Sequence, residues 1–420
     1  MEGTSLRGPT EAATAQVDCD AELRILELIR NPIEKCRRPP NGLRLNLVIP
    51  VMSRKWLTFG GPATAGRLLQ RLAAEFINTR IVVTHEIESD FNFIDWPNLA
   101  RDDGTTAAQT IVFLGDRSTP FTVGPEDFFI ATFWSTAIFV GSAIAHQARL
   151  FSIPRRRFVY LVQDYEPGFY PSSSRYVGAE STYRDLDGVI AVFNTNQLAE
   201  YFDQKGLRFK EQYVFHPILH PELRRRKADP NAPGKEHLIL VYARPSAARN
   251  DFDFVVDALR IWAREFPHVG QWSVLSAGQP HTDIPLGRNA VLRSSGQMTL
   301  EEYADHLSRC WVGLSFMFSP HPSYPPLEMA EFGAWVVTNR FANKDPALLA
   351  PSIIGVDGVW PEEAARKLAW CCGQYRPGKK SAIVDLAPLF RHDGDEFPFA
   401  SELVKSWLGA AKSASLARAP

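Results

Sequence analysis

The stretch "FMFSPHPSYPPLEMAEFGAWVVTN", residues 316–339, places four prolines, two glutamates and a histidine between two apolar runs. We predict a strand that ends at Phe318, a tight loop, and then a helix with Pro325 and Pro326 in its first turn, where a missing amide hydrogen costs nothing. Another strand follows. Near-continuous apolar strands that alternate with helices are typical of a parallel sheet covered on both faces.

The same alternation runs along the chain from residue 43 onwards. In the first half, strands are predicted at 43–51, 80–86, 109–115, 127–133, 158–164 and 188–193, with helices at 62–76 and 195–206. In the second half, strands are predicted at 237–243, 271–278, 289–295, 311–317 and 335–339, with helices at 251–266, 299–310 and 327–333. Between them, the basic, proline-containing run 224–235 reads as a solvated linker rather than a phosphate-binding patch.

The predicted fold class is therefore α/β, with two Rossmann-like, doubly wound domains that face each other across a cleft. We assign an N-terminal tail and helix to residues 1–42 and the two domains to 43–223 and 236–390. Residues 391–420 form a C-terminal helix and tail, with the helix at 401–414. Whether that helix crosses back to the first domain is left open.

Composition excludes several classes of protein. The chain has 420 residues, a formal net charge of -1 and 45% hydrophobic residues, so it is neither disordered nor equipped with the basic surface that binds nucleic acid. Its five cysteines show neither a disulfide framework nor zinc spacing, and the N-terminus lacks a secretory signal, so we expect a cytoplasmic protein without a metal. The uncharged run 128–145 reaches the length of about 18 residues that a membrane helix needs, but a buried strand followed by a buried helix explains it better.

Candidate donor-binding residues lie in three loops of the second half. Arg244 and Arg249, in "YARPSAARN", follow the first strand and could clamp a pyrophosphate, or could be surface arginines. The helix N-terminus after 318 is a phosphate site, with the amides of Ser323 and Tyr324 facing the anion. Glu328 could accept a hydrogen bond from a sugar hydroxyl, or could simply be a first-turn acid.

Two further residues extend that predicted site. His321 lies between two prolines in the same loop, where it is a candidate catalytic residue, although a lone histidine is more often structural. Lys344 follows another strand end and could add a cation to the phosphate cluster.

Candidate acceptor-side residues follow strands of the first half. Gln163, Asp164 and Glu166 come together at the end of the strand at 158–164, and either acid could be a general base or could cap the next turn. Gly60 and Gly61 would let the backbone approach a ligand closely, although paired glycines alone are a weak signal.

The motifs "VQDYEPGFYP", "YARPSAARN" and "SPHPSYPPLEMAEFGAWVVTN" resemble those of bacterial rhamnosyltransferases of the WsaF type, over residues 43 to 390. The resemblance implies a GT-B arrangement, a dTDP-L-rhamnose donor held by the C-terminal domain and a surface-glycan acceptor held by the N-terminal domain.

More distantly, the chain is similar to glycosyltransferase family four, which has two glutamates separated by seven residues. Glu328 matches the second glutamate and Pro320 occupies the first position, which puts the retaining course of that family in doubt. Arg244 and Arg249 match its phosphate-binding Arg and Lys.

The resemblance to the WsaF type implies an inverting glycosyltransferase, and the cationic side chains and helix N-terminus predict that it needs no metal and no cofactor besides its nucleotide-sugar substrate. Its partners would be the donor and a glycan or lipid-linked glycan acceptor, with peripheral association at the inner face of the membrane left open. The alternatives are a transferase that uses another nucleotide sugar, and a non-catalytic glycan-binding module. Acceptor identity and linkage position are not readable from the sequence.

Overall fold

The computed structural model describes residues 31–52, 60–76, 78–87, 98–100, 106–382 and 395–416. The chain divides into two units. One comprises the described residues within Met1–Val192, Leu207–Tyr213 and Phe397–Pro420, and the other comprises those within Phe193–Gly206 and Val214–Glu396. The tail predicted before residue 31 lies outside the described residues.

Strands and helices alternate through both units. The strands are β1 (Ile33–Lys35), β2 (Arg44–Met52), β3 (Asn78–Ile87), β4 (Asn98–Ala100), β5 (Thr106–Phe113), β6 (Phe121–Val123), β7 (Asp127–Ala131), β8 (Phe158–Val162), β9 (Val189–Asn194), β10 (Glu211–Phe215), β11 (Leu238–Ala243), β12 (Ser273–Gly278), β13 (Ile284–Gly287), β14 (Ala290–Ser294), β15 (Val312–Leu314), β16 (Trp335–Asn339) and β17 (Ile353–Val356). The helices are α1 (Gly60–Leu72), α2 (Trp134–Phe151), α3 (Ser174–Ser181), α4 (Asn196–Gln204), α5 (Pro221–Lys227), α6 (Phe252–Glu265), α7 (Leu300–Arg309), α8 (Tyr324–Glu331), α9 (Pro361–Gly373) and α10 (Ala400–Leu416). Short 3-10 turns join several of them.

The first sheet has eight strands in the order β10-β9-β8-β7-β2-β3-β5-β4. The pairs β2–β3, β2–β7, β3–β5 and β7–β8 are parallel, as predicted. The edge strand β4, which the sequence analysis missed, is antiparallel to β5. The uncharged run 128–145 is indeed divided between β7 and α2, whose residues are largely buried.

The second sheet has seven strands in the order β13-β14-β12-β11-β15-β16-β17. All pairs are parallel except the edge pair β13–β14. One face of the sheet packs against a cluster that includes Leu259, Trp262 and Leu368 of α6 and α9. A second cluster includes Leu307 and Leu327 of α7 and α8. The sheet is therefore covered on both faces, as a doubly wound fold requires.

A glycine sets how closely α8 packs on its sheet. A Cβ at Gly313 of β15 would lie 2.4 Å from the sulfur of Met329. Any side chain at this position would therefore displace the Met329 side chain that packs α8 on the sheet.

The strand predicted to end at Phe318 ends earlier, at Leu314. The Met317 amide donates to Oδ1 of Asn339 at 2.7 Å, and the Phe318 amide donates to the carbonyl of Arg249 at 2.7 Å. Because a side chain and a loop take over the ladder bonds, the chain leaves the sheet four residues before the predicted point.

The predicted linker over 224–235 was wrong for its first residues, which form the end of α5. Leu223 is buried, and Lys227 forms an ion pair of 2.6 Å with the buried Glu331 of α8. Lys235 is buried as well and donates to the carbonyl of Leu307 at 3.0 Å. The basic run therefore packs onto the second unit, because its lysines have specific oxygen partners there.

The C-terminal helix α10 belongs to the first unit. The buried Trp407 ring lies 6.2 Å from the Phe76 ring and 5.2 Å from the Phe128 ring. Its indole nitrogen donates to the carbonyl of Arg157 at 2.9 Å.

Candidate active site

The strand order of the second sheet places two loops side by side. The strand β11 has β12 on one side and β15 on the other, so the chain winds in opposite directions on its two sides. Ligands of such sheets bind where the winding reverses, beyond the carboxyl ends of the strands. The loop after β11 carries Arg249, and the side-chain Nδ2 of the neighbouring Asn250 donates to the carbonyl of Phe316 after β15 at 2.8 Å.

Three basic side chains meet at this point. His321 is 4% exposed and Lys344 is 1% exposed. Lys344 donates from Nζ to the carbonyl of Met317 at 2.5 Å. Burial and the nearby charges of Lys344 and Arg249 lower the pKa of His321 to about 3. His321 is consequently neutral at physiological pH, which removes it as a general acid and suits it to donate a hydrogen bond.

The loop before α8 has an unusual backbone conformation. Ser323, the N-cap, has φ 70° and ψ 149°, a region occupied almost only by glycine. Its amide donates to Nδ1 of His321 at 3.0 Å, and the rings of His321 and Tyr324 lie 5.8 Å apart. The Ser323 amide is thus used by the histidine, which differs from the expectation that it faces an anion. Because Nδ1 accepts, the neutral imidazole carries its proton on Nε2.

Replacing Ser323 with glycine should stabilise the protein. The strained conformation costs about 1–3 kcal/mol in a residue with a Cβ, while glycine loses about 0.5–1 kcal/mol more in chain entropy on folding. We expect the free energy of unfolding of Ser323→Gly to rise by about 1 kcal/mol in urea titrations. Ser308→Gly, within α7, is the matched control and should lose about 0.5 kcal/mol. Equal destabilisation of both variants would contradict the strain.

Glu328 has a defined partner one helix away. Its Oε2 accepts a hydrogen bond of 2.9 Å from the hydroxyl of Tyr303 on α7. Burial raises the pKa of Glu328 to about 7, although the bond from Tyr303 opposes this rise. One oxygen of the Glu328 carboxyl group is therefore held by Tyr303. Arg244, in contrast, lies exposed on the loop that carries Arg249.

The acceptor-side residues lie in the first unit. An added Cβ at Gly61 would lie 2.9 Å from Oε1 of Gln163, so the start of α1 and the end of β8 touch at this glycine. Gly60 has φ +58°, in the left-handed region that favours glycine. Asp164 is 7% exposed and accepts a hydrogen bond of 2.8 Å from the amide of Tyr165.

Glu166 is held at the N-terminus of α2. Its Oε2 accepts from the amide of Trp134 at 2.6 Å and from the hydroxyl of Tyr160 at 3.0 Å. Burial nevertheless raises the pKa of Glu166 to about 8, and the charge of nearby Asp164 adds to the rise. A carboxyl group bound in this way satisfies a backbone amide at the start of α2.

The raised pKa of Glu166 should make the stability depend on pH. Between the ordinary pKa of 4.5 and about 8, the folded state keeps a proton that the unfolded state releases. The free energy of unfolding should therefore fall as pH rises through this window, by at most about 1.4 kcal/mol per pH unit. Urea titrations at pH 5 and pH 8 should show a smaller fall for Glu166→Gln than for the wild type. Glu86→Gln, an exposed control in the same unit, should keep the wild-type slope; an identical slope in all three proteins would refute the assignment.

Three polar residues of the site were not found by sequence analysis. Asn339 ends β16 and fixes the amide of Met317, while Tyr303 fixes Glu328. Asn194 ends β9 and donates from Nδ2 to the hydroxyl of Tyr324 at 3.2 Å. A polar residue at the end of an apolar strand was a usable signal for both asparagines, whereas nothing in the sequence separates Tyr303 from an ordinary helix residue.

Neither a metal-binding cluster nor a membrane-spanning helix is found among the described residues. Within the described ranges, His, Cys, Asp and Glu side chains nowhere form a group of three that could hold a metal ion. Across the helices that the structure describes, none has both the length and the apolar character that a membrane span requires.

Solved structures share this fold. WaaG, a glycosyltransferase involved in lipopolysaccharide biosynthesis, is similar at a TM-score of 0.56 and 13% identity, over 87% of this chain and 100% of WaaG. Anabaena HepE, solved in complex with UDP and glucose, is similar at a TM-score of 0.53 and 11% identity, over 88% of this chain and 98% of HepE. At 11% and 13% identity, the similarity shows a shared fold and nothing more. With the two Rossmann-like units, it confirms the predicted fold class, that of the GT-B glycosyltransferases.

Sequence comparison identifies the family. Residues 44–196 match the N-terminal domain of WsaF, and residues 237–369 match its C-terminal domain. The chain belongs to the WsaF family of glycosyltransferases. The O-antigen biosynthesis protein RfbC of Myxococcus xanthus is 32% identical over 266 residues, which cover 61% of this chain and 19% of RfbC. The match thus spans about a fifth of the length of that relative.

Proposed function

We propose that this glycosyltransferase moves L-rhamnose from dTDP-L-rhamnose to a hydroxyl of a bacterial surface glycan, with inversion at the anomeric carbon and without a metal. The observation that carries the proposal is the meeting of Arg249, His321 and Lys344 at the N-terminal end of α8. The surface-glycan acceptor is supported by the similarity to RfbC, which is named an O-antigen biosynthesis protein. The donor follows from the resemblance of the three quoted motifs to rhamnosyltransferases.

The donor half of the reaction needs positive charge where the diphosphate leaves. Arg249 and Lys344 provide two cations, and neutral His321 provides an Nε2 hydrogen. The start of α8 adds the positive end of a helix dipole. Groups arranged in advance of the reaction stabilise charge as it develops, so they can replace a metal ion. Glu328 accepts a hydrogen bond from a sugar hydroxyl on the oxygen that Tyr303 leaves available.

The acceptor half needs a base. In the proposed step, the acceptor oxygen attacks the anomeric carbon and its proton passes to the carboxylate of Asp164. The bond from that carbon to the phosphate oxygen breaks, and thymidine diphosphate departs with the bonding electrons. We assign the base to Asp164 because Glu166 already binds the amide of Trp134 and the hydroxyl of Tyr160.

The first test is donor turnover. Purified protein, a glycan acceptor and a panel of dTDP-L-rhamnose, other dTDP-sugars and UDP-glucose are incubated, and released nucleotide is measured. UDP-glucose is included because HepE was solved with UDP and glucose. Preferred use of dTDP-L-rhamnose, with an inverted anomeric linkage by NMR, is the expected result. Preference for another donor, or retention, would overturn the finer assignment, and glycan binding without nucleotide binding would favour a non-catalytic module.

We also place the reaction in the cytoplasm. The support is chemical, since Cys36, Cys310, Cys371 and Cys372 are free thiols and suit a reducing compartment. Fractionation of cells that express the chain should recover it with the cytoplasm or loosely bound to membranes, and recovery from an oxidising compartment would contradict this placement.

A further inference from the structure

Two buried polar atoms beside Tyr324 have no hydrogen-bond partner among the residues that the structure describes. Asn194 is 1% exposed and donates from Nδ2 to the Tyr324 hydroxyl at 3.2 Å. Among the described residues, the other end of its amide, Oδ1, has no partner, and neither does Nε2 of His321. The His321 ring lies 5.8 Å from the ring of the same tyrosine. An acceptor and a donor, both buried, thus flank one aromatic side chain.

Unpartnered buried polar atoms are rare in native proteins, because each forfeits hydrogen bonds that it makes in water. Asn194 is also placed where a ligand is expected. It ends β9, and α4 begins two residues later, after Thr195 caps that helix with a φ of 84°. A strand-to-helix junction of a doubly wound sheet is the usual position of ligand contacts.

The chemistry of the Asn194 amide oxygen selects among the parts of a nucleotide sugar. This oxygen needs a donor, and a fully ionised phosphate has none. A sugar ring has hydroxyls that donate, and its C–H face packs well against a tyrosine ring. A nucleobase also has a ring N–H donor, but a contact with the base would change the affinity for thymidine diphosphate itself. The amide oxygen therefore fits the glycosyl group better than the diphosphate, while Nε2 of His321 keeps its proposed role at the diphosphate.

We infer that Asn194 is a specificity-determining residue whose amide oxygen accepts a hydrogen bond from a hydroxyl of the sugar being transferred. The inference rests on the proposed function, since it needs a nucleotide-sugar donor. Tyr324 is only half-buried, and its hydroxyl contacts the Asn194 amide through Nδ2, so the inference requires a sugar hydroxyl to reach Oδ1 beside this side chain.

The test compares the sugar with the nucleotide. Calorimetry with thymidine diphosphate and steady-state kinetics with dTDP-L-rhamnose are performed on the wild type, Asn194→Ala and the exposed control Asn231→Ala. We expect Asn194→Ala to lose roughly tenfold or more in kcat/KM, while its Kd for thymidine diphosphate stays within about twofold of the wild type. Asn231→Ala should match the wild type in both. Circular dichroism checks folding, and Asn194→Ser replaces the alanine variant if that variant does not fold.

Nucleotide-sugar donors that each lack one sugar hydroxyl identify the hydroxyl that Asn194 contacts. One such donor should be about tenfold worse than dTDP-L-rhamnose for the wild type and about equal to it for Asn194→Ala. If every deoxy donor is penalised alike in both proteins, or if thymidine diphosphate binding falls together with turnover, the inference is refuted. If the wild type binds no nucleotide at all, the proposed function fails and this inference fails with it. If the wild type binds nucleotide and Asn194→Ala has wild-type donor kinetics, the inference alone is refuted.

Discussion

Replacing Arg249 with alanine should lower kcat/KM for the nucleotide-sugar donor by about 10²–10³-fold, the usual cost of removing one preorganised group that stabilises charge in a transition state. Arg249 is the cation that joins the loop after β11 to the cluster of His321 and Lys344. Its planar fork can bind two phosphate oxygens at once. Arg249→Lys should recover part of the loss, because charge is kept while the fork is removed.

Two control variants separate this effect from a general loss of charge or structure. Arg260 is exposed on α6 and forms a solvent-exposed ion pair with Asp257 at 3.2 Å, so Arg260→Ala should keep wild-type kinetics. Arg244→Ala should lose less than Arg249→Ala, since Arg244 lies exposed on the shared loop. Donor kinetics unchanged in Arg249→Ala, or reduced equally in Arg260→Ala, would remove Arg249 from the site.

Replacing Asp164 with asparagine should lower kcat by about 10²–10⁴-fold, the contribution of a well-placed general base. The asparagine side chain keeps an oxygen that can accept from the amide of Tyr165, as Asp164 does at 2.8 Å. The turn should therefore survive while the base is lost, and Kd for thymidine diphosphate should stay unchanged. Single-turnover kinetics with calorimetry on the same protein measure both quantities.

The alternative role for Asp164 is that of a turn cap, and it gives the opposite result. A capping residue would make Asp164→Asn nearly silent in kcat, as the exposed control Asp116→Asn should be. A large loss of kcat in Glu166→Gln, together with normal turnover by Asp164→Asn, would transfer the role of base to Glu166.

The regular parts of the fold were predictable because local patterns determine them. Apolar runs flanked by helices identified most strands of both sheets, and Pro325 and Pro326 lie in the first turn of α8, as expected. The antiparallel edge strands β4 and β13 were missed because each is three or four residues long and lacks a continuous apolar run. The strand predicted at 311–317 is longer than the observed strand. Its apolar residues continue past the point where the side chain of Asn339, instead of a neighbouring strand, accepts the backbone hydrogen bond.

The sequence predicts which loops form the site, but it does not predict which of their residues form hydrogen bonds with each other or with distant residues. Loops at strand ends were identified from sequence because a doubly wound sheet places ligands there. The partners of those residues are distant in sequence, as in Tyr303 with Glu328 and Asn194 with Tyr324. Such pairs depend on which helices pack together, so a single sequence carries no local signal for them. The neutral state of His321 likewise follows from its burial beside Lys344 and Arg249.

The central claim is that Arg249, Lys344, His321 and the start of α8 bind the diphosphate of the donor. Its most direct test is calorimetry of the wild type with thymidine diphosphate and with thymidine, each at low and high salt. The account predicts that thymidine diphosphate binds at least about 100-fold more tightly than thymidine. It also predicts that high salt lowers the affinity for thymidine diphosphate and leaves the affinity for thymidine unchanged. Equal affinity for the two compounds would contradict the account.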